Sequence, residues 1–83
     1  MTTQNKRLGT LVGSLAKPKV KFIDKDLYAA RGWYSYPGEY GYHRAVFLTS
    51  CFVILLEQKD FFWKVLSDDR EVWIENYKLE IFE

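Results

Sequence analysis

An 83-residue chain with net charge +1 is expected to form one domain (residues 1–83), and its 48% hydrophobic and 18% aromatic residues are enough for a dense small core. Its one cysteine, Cys51, excludes an intrachain disulfide framework and suits a reducing compartment. No stretch reaches the ~18 apolar residues of a membrane-spanning helix, and the polar N-terminus has no signal-peptide core, so a cytoplasmic location is expected.

In chain order, residues 1–6 are polar and expected to be disordered. Leu8 to Val12, interrupted by Gly9 and Thr10 and ended by Gly13, reads as a short first strand or an ordered arm. Lys19-Val20-Lys21-Phe22-Ile23-Asp24 alternates at its start, which predicts a strand with one wet face, opened by Pro18. Residues 27–44 carry Tyr28, Trp33, Tyr34, Tyr36, Tyr40 and Tyr42 among Gly32, Gly38 and Gly41. No helical period fits them, and Tyr36-Pro37-Gly38-Glu39 is turn chemistry, so a long aromatic-rich loop or wide hairpin is expected.

Val46–Thr49 and Phe52–Leu56 are β-branched and aromatic, and suit strands buried on both faces or crossing a barrel. Glu57–Asp60 reads as a polar turn, Phe61–Leu66 as a strand and Ser67–Arg70 as a hairpin turn. Glu71–Glu75 alternates, with Val72 and Ile74 on one face and Trp73 on the other. Asn76–Lys78 is a bend before a last strand, Leu79–Phe82. Strands recurring every 8–12 residues or so point to an all-β sandwich or barrel. Five or six strands in a chain this short favour a small closed barrel, since closure removes exposed edges.

The run Phe61-Phe62-Trp63-Lys64-Val65-Leu66, a turn, then Arg70-Glu71-Val72-Trp73-Ile74-Glu75-Asn76-Tyr77 resembles the second half of a Src-homology-3 domain. Phe62-Trp63-Lys64 is similar to that family's Trp-Trp-Lys segment, Trp73-Ile74 to its aromatic-Ile pair, and Asn76-Tyr77 to the Asn-Tyr of its one-turn helix. Leu27-Tyr28-Ala29 echoes its Ala-Leu-Tyr-Asp-Tyr. The resemblance implies a five- to six-stranded Src-homology-3-like barrel. Val72 stands where the family has Gly before the aromatic-Ile pair, and the Pro of the turn is absent, so the similarity bears on fold more than on a groove for proline-rich ligands. In style the chain is also similar to small barrel proteins of tailed phages.

Catalytic chemistry has little to draw on. A lone His43 and a lone Cys51 lack a third group to orient the base, and free Cys is among the most buried residue types, so Cys51 reads as core filler. His43 reads as a surface or hydrogen-bonded side chain. One His and one Cys cannot make a structural zinc set, Asp68-Asp69 is turn chemistry, and no phosphate loop or dinucleotide fingerprint appears. No enzyme activity, cofactor or metal is expected.

The tyrosine cluster is the functional hint. Tyr and Trp bring large area with few rotatable bonds, and are enriched at binding hot spots. The expected ligand residues are Tyr28, Trp33, Tyr34, Tyr36, Tyr40, Tyr42, Phe62 and Trp63. The leading reading is a non-enzymatic protein-binding or adaptor module whose partner is a protein or peptide segment, or another copy of itself. A second is single-stranded nucleic-acid binding. Residues 1–50 hold eight Lys and Arg against three Asp and Glu, and Lys17, Lys19, Lys21, Lys25, Arg31 and Arg44 would track phosphates beside the aromatics. Residues 51–83 reverse the balance, with four against eight. A third is a structural subunit of a homo-oligomer or phage-type assembly, pairing through sheet edges. No membrane partner is expected.

Overall fold

Seven strands form a single antiparallel sheet in the computed structural model, which describes residues 11–49 and 52–82. They are β1 (Leu15–Pro18), β2 (Ala30–Trp33), β3 (Ala45–Leu48), β4 (Val53–Lys59), β5 (Phe62–Ser67), β6 (Arg70–Glu75) and β7 (Leu79–Ile81). Their spatial order is β3-β2-β6-β5-β4-β1-β7. The all-β expectation holds. The count of five or six strands is corrected to seven, and the hydrogen-bonded ladder is open rather than closed, because β3 and β7 are its two ends and do not pair. Residues 1–6, the Leu8–Thr10 part of the expected arm, and Cys51 lie outside the described residues.

One face of this sheet wraps a single core, to which every strand contributes. Ala16, Ala30, Val46, Leu48, Val53, Leu55, Trp63, Val65, Val72, Ile74 and Leu79 are all buried and form one cluster. The period-two alternation of side chains makes this possible: each strand has one inward set and one outward set. Of the two readings of Val46–Thr49 and Phe52–Leu56, strands buried on both faces or crossing a barrel, the first is corrected. Strands β3 and β4 alternate, with Phe47 and Ile54 exposed, as is Phe52 just before β4.

The β4–β5–β6 meander follows from its turns. Asp68 and Asp69 both have positive φ (49° and 65°), the backbone that a two-residue hairpin needs to match strand twist, and Asp tolerates it better than most residues. Strand β4 runs on to Lys59, so the polar turn expected at Glu57–Asp60 shrinks to Asp60-Phe61, with Asp60 at φ 54°. A bulge places Leu56 as an extra residue between the Leu55–Val65 and Glu57–Lys64 pairs. It resets the alternation, so that Glu57 lies beside Lys64 on the outer face.

The expected strand at Lys19–Asp24 is corrected to a one-turn 3₁₀ helix, Val20–Phe22. Pro18 ends β1, paired with Leu79, rather than opening a strand. The chain then turns at once: the Phe22 amide donates to the Lys19 carbonyl (2.9 Å) and Ile23 to Val20 (3.0 Å). Val20, predicted to face inward, is 78% exposed. Asp24 accepts amide hydrogen bonds from Asp26 (2.8 Å) and Leu27 (3.1 Å), an Asx-type turn that leads through Tyr28, at φ 53°, into β2.

Strands β2 and β3 form the wide hairpin expected of the aromatic-rich region. It joins the rest of the sheet at one paired position, Trp33 opposite Trp73. Gly32 makes that joint possible: a Cβ there would lie 2.9 Å from the Trp73 carbonyl oxygen. Among the described residues no helix is long and apolar enough to cross a membrane.

Candidate functional site

Strand register fixes which aromatics face outward. On β5 the inward set is Trp63, Val65 and Ser67, which leaves Phe62, Lys64 and Leu66 on the outer face. Lys64 pairs with Trp73, so Trp73 is outward too, and Trp33 joins it through the β2–β6 pairing. The loop 34–44 then folds Tyr36 onto this face. Its ring meets Phe62 edge-on (5.5 Å between centres, 82°) and Trp73 likewise (5.1 Å, 67°). T-shaped pairs at such spacing gain from the ring quadrupoles beyond the area they bury.

Tyr36 is held from several directions. Its hydroxyl donates to the Asp60 carboxylate in the β4–β5 turn, and the Lys59 ammonium lies 4.3 Å from its ring centre. Gly38 lies against the ring, since a Cβ there would fall 2.4 Å from it. The hydrogen bond to Asp60, burial, and the negative charges of Asp60 and Glu39 push its pKa up to about 12.

Charged groups frame the aromatics in pairs. Lys59 lies 3.8 Å from Glu39, and Lys64 lies 3.4 Å from both Glu57 and Glu71 and 5.8 Å from the Trp73 ring centre. Burial disfavours the Lys64 charge, but hydrogen bonds to Glu71 and Glu57 outweigh it and hold the pKa above the usual lysine value. Arg70 donates to the Tyr34 hydroxyl (3.1 Å), and the Arg44 guanidinium stacks 5.4 Å from the Tyr34 ring centre. His43 braces the loop. Its Nε2 donates to the Glu39 carbonyl at 2.5 Å, so Nδ1 is left to accept from the Ser35 hydroxyl at 2.8 Å.

The eight expected ligand residues therefore separate. Trp33, Tyr34, Tyr36 and Phe62 share the outer face, with Tyr34 40% exposed. Tyr40 and Tyr42 stand fully in solvent on the loop. Tyr28 lies elsewhere, in a shallow apolar hollow with Val20, Ile23 and the lysines 21 and 25. Trp63 is corrected: at 2% exposure it belongs to the core, and Lys64 beside it was the signal that Phe62 points out and Trp63 in. Trp73 and Asp60 were missed as site residues. The alternation of Glu71–Glu75 already placed Trp73 on the polar face, whereas nothing in the sequence tied Asp60 to Tyr36. Among the described residues no three His, Cys, Asp or Glu side chains converge as metal ligands do. Compared with family models, curated proteins and solved structures, the chain matches none.

Proposed function

We propose that this chain is a non-enzymatic protein-binding module built on a Src-homology-3-like barrel, and that it grips an extended peptide segment across Trp33, Tyr34, Tyr36 and Phe62, with Trp73 buried beneath the Tyr36 ring as their support. Two features support the barrel: the single core drawn from all seven strands, and the run β7-β1-β4-β5-β6 with a one-turn helix at Asn76–Lys78, where the Asn-Tyr resemblance puts one.

One observation carries the ligand class. Tyr36 is pre-positioned by Phe62, Trp73 and Asp60, so the aromatic face needs little ordering on binding. The cations around it are already engaged: Lys59 with Glu39, Lys64 with Glu57 and Glu71, and Arg70 with Tyr34. Of the cations expected to track phosphates, Arg44 stacks on Tyr34, but Lys21 and Arg31 line a cleft away from these rings, and that separation favours a peptide over single-stranded nucleic acid.

Selection from a random-peptide display library tests the reading. Peptides that bind the native chain should lose about tenfold or more in affinity on Trp33→Ala or Tyr34→Ala, as hot-spot aromatics do, and keep it on Tyr28→Ala. Binding that survives alanine at both Tyr34 and Tyr36 refutes the site. Retention of oligonucleotides that fades steeply with salt would support the nucleic-acid reading instead.

A further inference from the structure

The sheet ends in two strands of different character. β7 has three residues, Leu79–Ile81, and its middle one is the exposed Glu80. A short strand with a charge at its centre is a guarded edge, poor at recruiting another strand. β3 is the opposite: Ala45-Val46-Phe47-Leu48 has no charge and no proline, and Phe47 stays 39% exposed. The free side of β3 follows from its ladder. The Tyr34 amide donates to the Arg44 carbonyl (3.0 Å), which makes Tyr34–Arg44 a hydrogen-bonded pair. Such pairs alternate along an antiparallel ladder, so Val46 and Leu48 also direct their backbone groups to β2, opposite Gly32 and Ala30. Ala45, Phe47 and Thr49 then turn their N–H and C=O groups away from β2. Among the described residues no strand pairs with that side, and no backbone hydrogen bond outside the ladder reaches those three residues.

Geometry limits what can fill this edge. An added strand would lie ~4.8 Å beyond β3, and on the inner side its side chains would sit next to Val46 and Leu48, which are buried in the core. It must therefore be apolar at alternate positions. β3 itself meets that requirement, and its free residues Ala45, Phe47 and Thr49 are symmetric about Phe47. Set antiparallel against a second β3, Phe47 exchanges both hydrogen bonds with the partner's Phe47, and Ala45 does so with the partner's Thr49. This order also keeps like charges apart, since the two Arg44 residues fall at opposite ends of the pair, roughly 20 Å from each other. We infer that β3 pairs antiparallel with the β3 of a second copy, centred on Phe47, so that one continuous sheet runs through a two-fold dimer. The same patch meets itself in such a contact, which occupies the open edge of both copies and stops at two. The two-fold axis stands perpendicular to the sheet, so the outer faces of both copies, each with its Trp33, lie on one side of the dimer.

Sedimentation of the full chain from micromolar to millimolar concentration tests this. The weight-average mass should rise from the 9.9 kDa of one chain towards twice that value and stop there. The nearest like charges are the two Arg31 guanidinium groups, each 5.9 Å from its own Phe47 ring centre, so added salt should tighten the dimer rather than disperse it. Phe47→Lys sets two cations directly opposite each other. Ala45→Pro removes an N–H that the chain's own ladder does not use, a change an edge strand tolerates. Each variant should stay at the single-chain mass, with a native circular dichroism spectrum and melting curve. In the native chain, amide hydrogen exchange at Ala45, Phe47 and Thr49 should slow about tenfold once nine copies in ten are paired, while the β7 amides keep their rates. A native chain that stays monomeric at millimolar concentration overturns the inference. So does growth beyond two copies, a dimer that salt disperses or that survives both variants, or unchanged exchange at Ala45 and Phe47. Slowing there only when a peptide from the display library is added gives the edge to a peptide and overturns the second copy as its occupant.

Discussion

Replacing Gly32 by alanine tests the joint on which the aromatic face depends. The new methyl would lie 2.9 Å from the Trp73 carbonyl oxygen and 3.6 Å from the Leu48 side chain. The oxygen is backbone, so relief requires β2 to move off β6. Two effects oppose each other. Alanine restricts the unfolded chain, which by itself stabilises by about 0.4–1 kcal/mol. Overpacking a buried position costs about 1–3 kcal/mol. The net is a loss of about 1–2 kcal/mol, and because Trp33–Trp73 is the one paired position between hairpin and sheet, no neighbouring pair shares the strain. For a domain of this length each kcal/mol moves the melting midpoint by about 4–8 °C, so thermal unfolding followed by circular dichroism should shift down by roughly 5–15 °C. An unchanged or raised midpoint would refute the close approach of β2 to β6.

Trp63→Ala empties the centre of the core and should cost about 3–5 kcal/mol, a large share of the marginal stability of a small domain, read as a collapse of the urea midpoint. The Tyr36 hydroxyl has a folded pKa near 12 against an ordinary 10. Its contribution to stability is therefore fully present below pH 10 and lost as pH rises through 12. Ultraviolet titration of the tyrosines should show a late step near pH 12 that Tyr36→Phe removes; a variant that keeps that step would mean Asp60 does not hold the hydroxyl. Asp69→Gly places a residue with no left-handed penalty at φ 65° and should raise the melting midpoint by a few degrees, for a gain of up to about 1 kcal/mol.

The half of the molecule from β4 onward was legible because its residues obey two simple rules. Val72 and Ile74 alternate with outward-facing neighbours along β6, β5 is dense in aromatic and aliphatic residues, and turn residues separate the two strands. The first half obeys neither. Strand β1 escaped notice because its buried members are Ala16 and Pro18, neither of which registers as a strand signal, and Ala29 and Ala30 are buried with as little warning. Small residues mark places where strands approach closely, and such places are set by the partner strand rather than by the local sequence. Lys19–Asp24 erred the other way: it has the alternation of a strand at its start, but after the Lys19 amide donates to the Lys78 carbonyl the backbone turns, and Phe22 and Ile23 bond back to Lys19 and Val20.

The candidate site was half legible for the same reason. That the tyrosines of residues 27–44 form a surface could be read from composition, but which of them work together depends on contacts between distant segments. Tyr36 is fixed by Asp60, 24 residues away, and by Phe62 and Trp73 on strands that pair with each other. Tyr28, only eight positions before Tyr36, is parted from it by β2 and opens on a different hollow. The Asp24 turn and the left-handed Tyr28 end the 3₁₀ segment, and Gly32 lets β2 approach β6. Together they steer the chain so that Trp33 and the loop after it cover the outer face while Lys21 and Arg31 line the cleft. One hairpin entry thus sorts an aromatic surface from a basic one, and a change at Gly32 should disturb the first before the second.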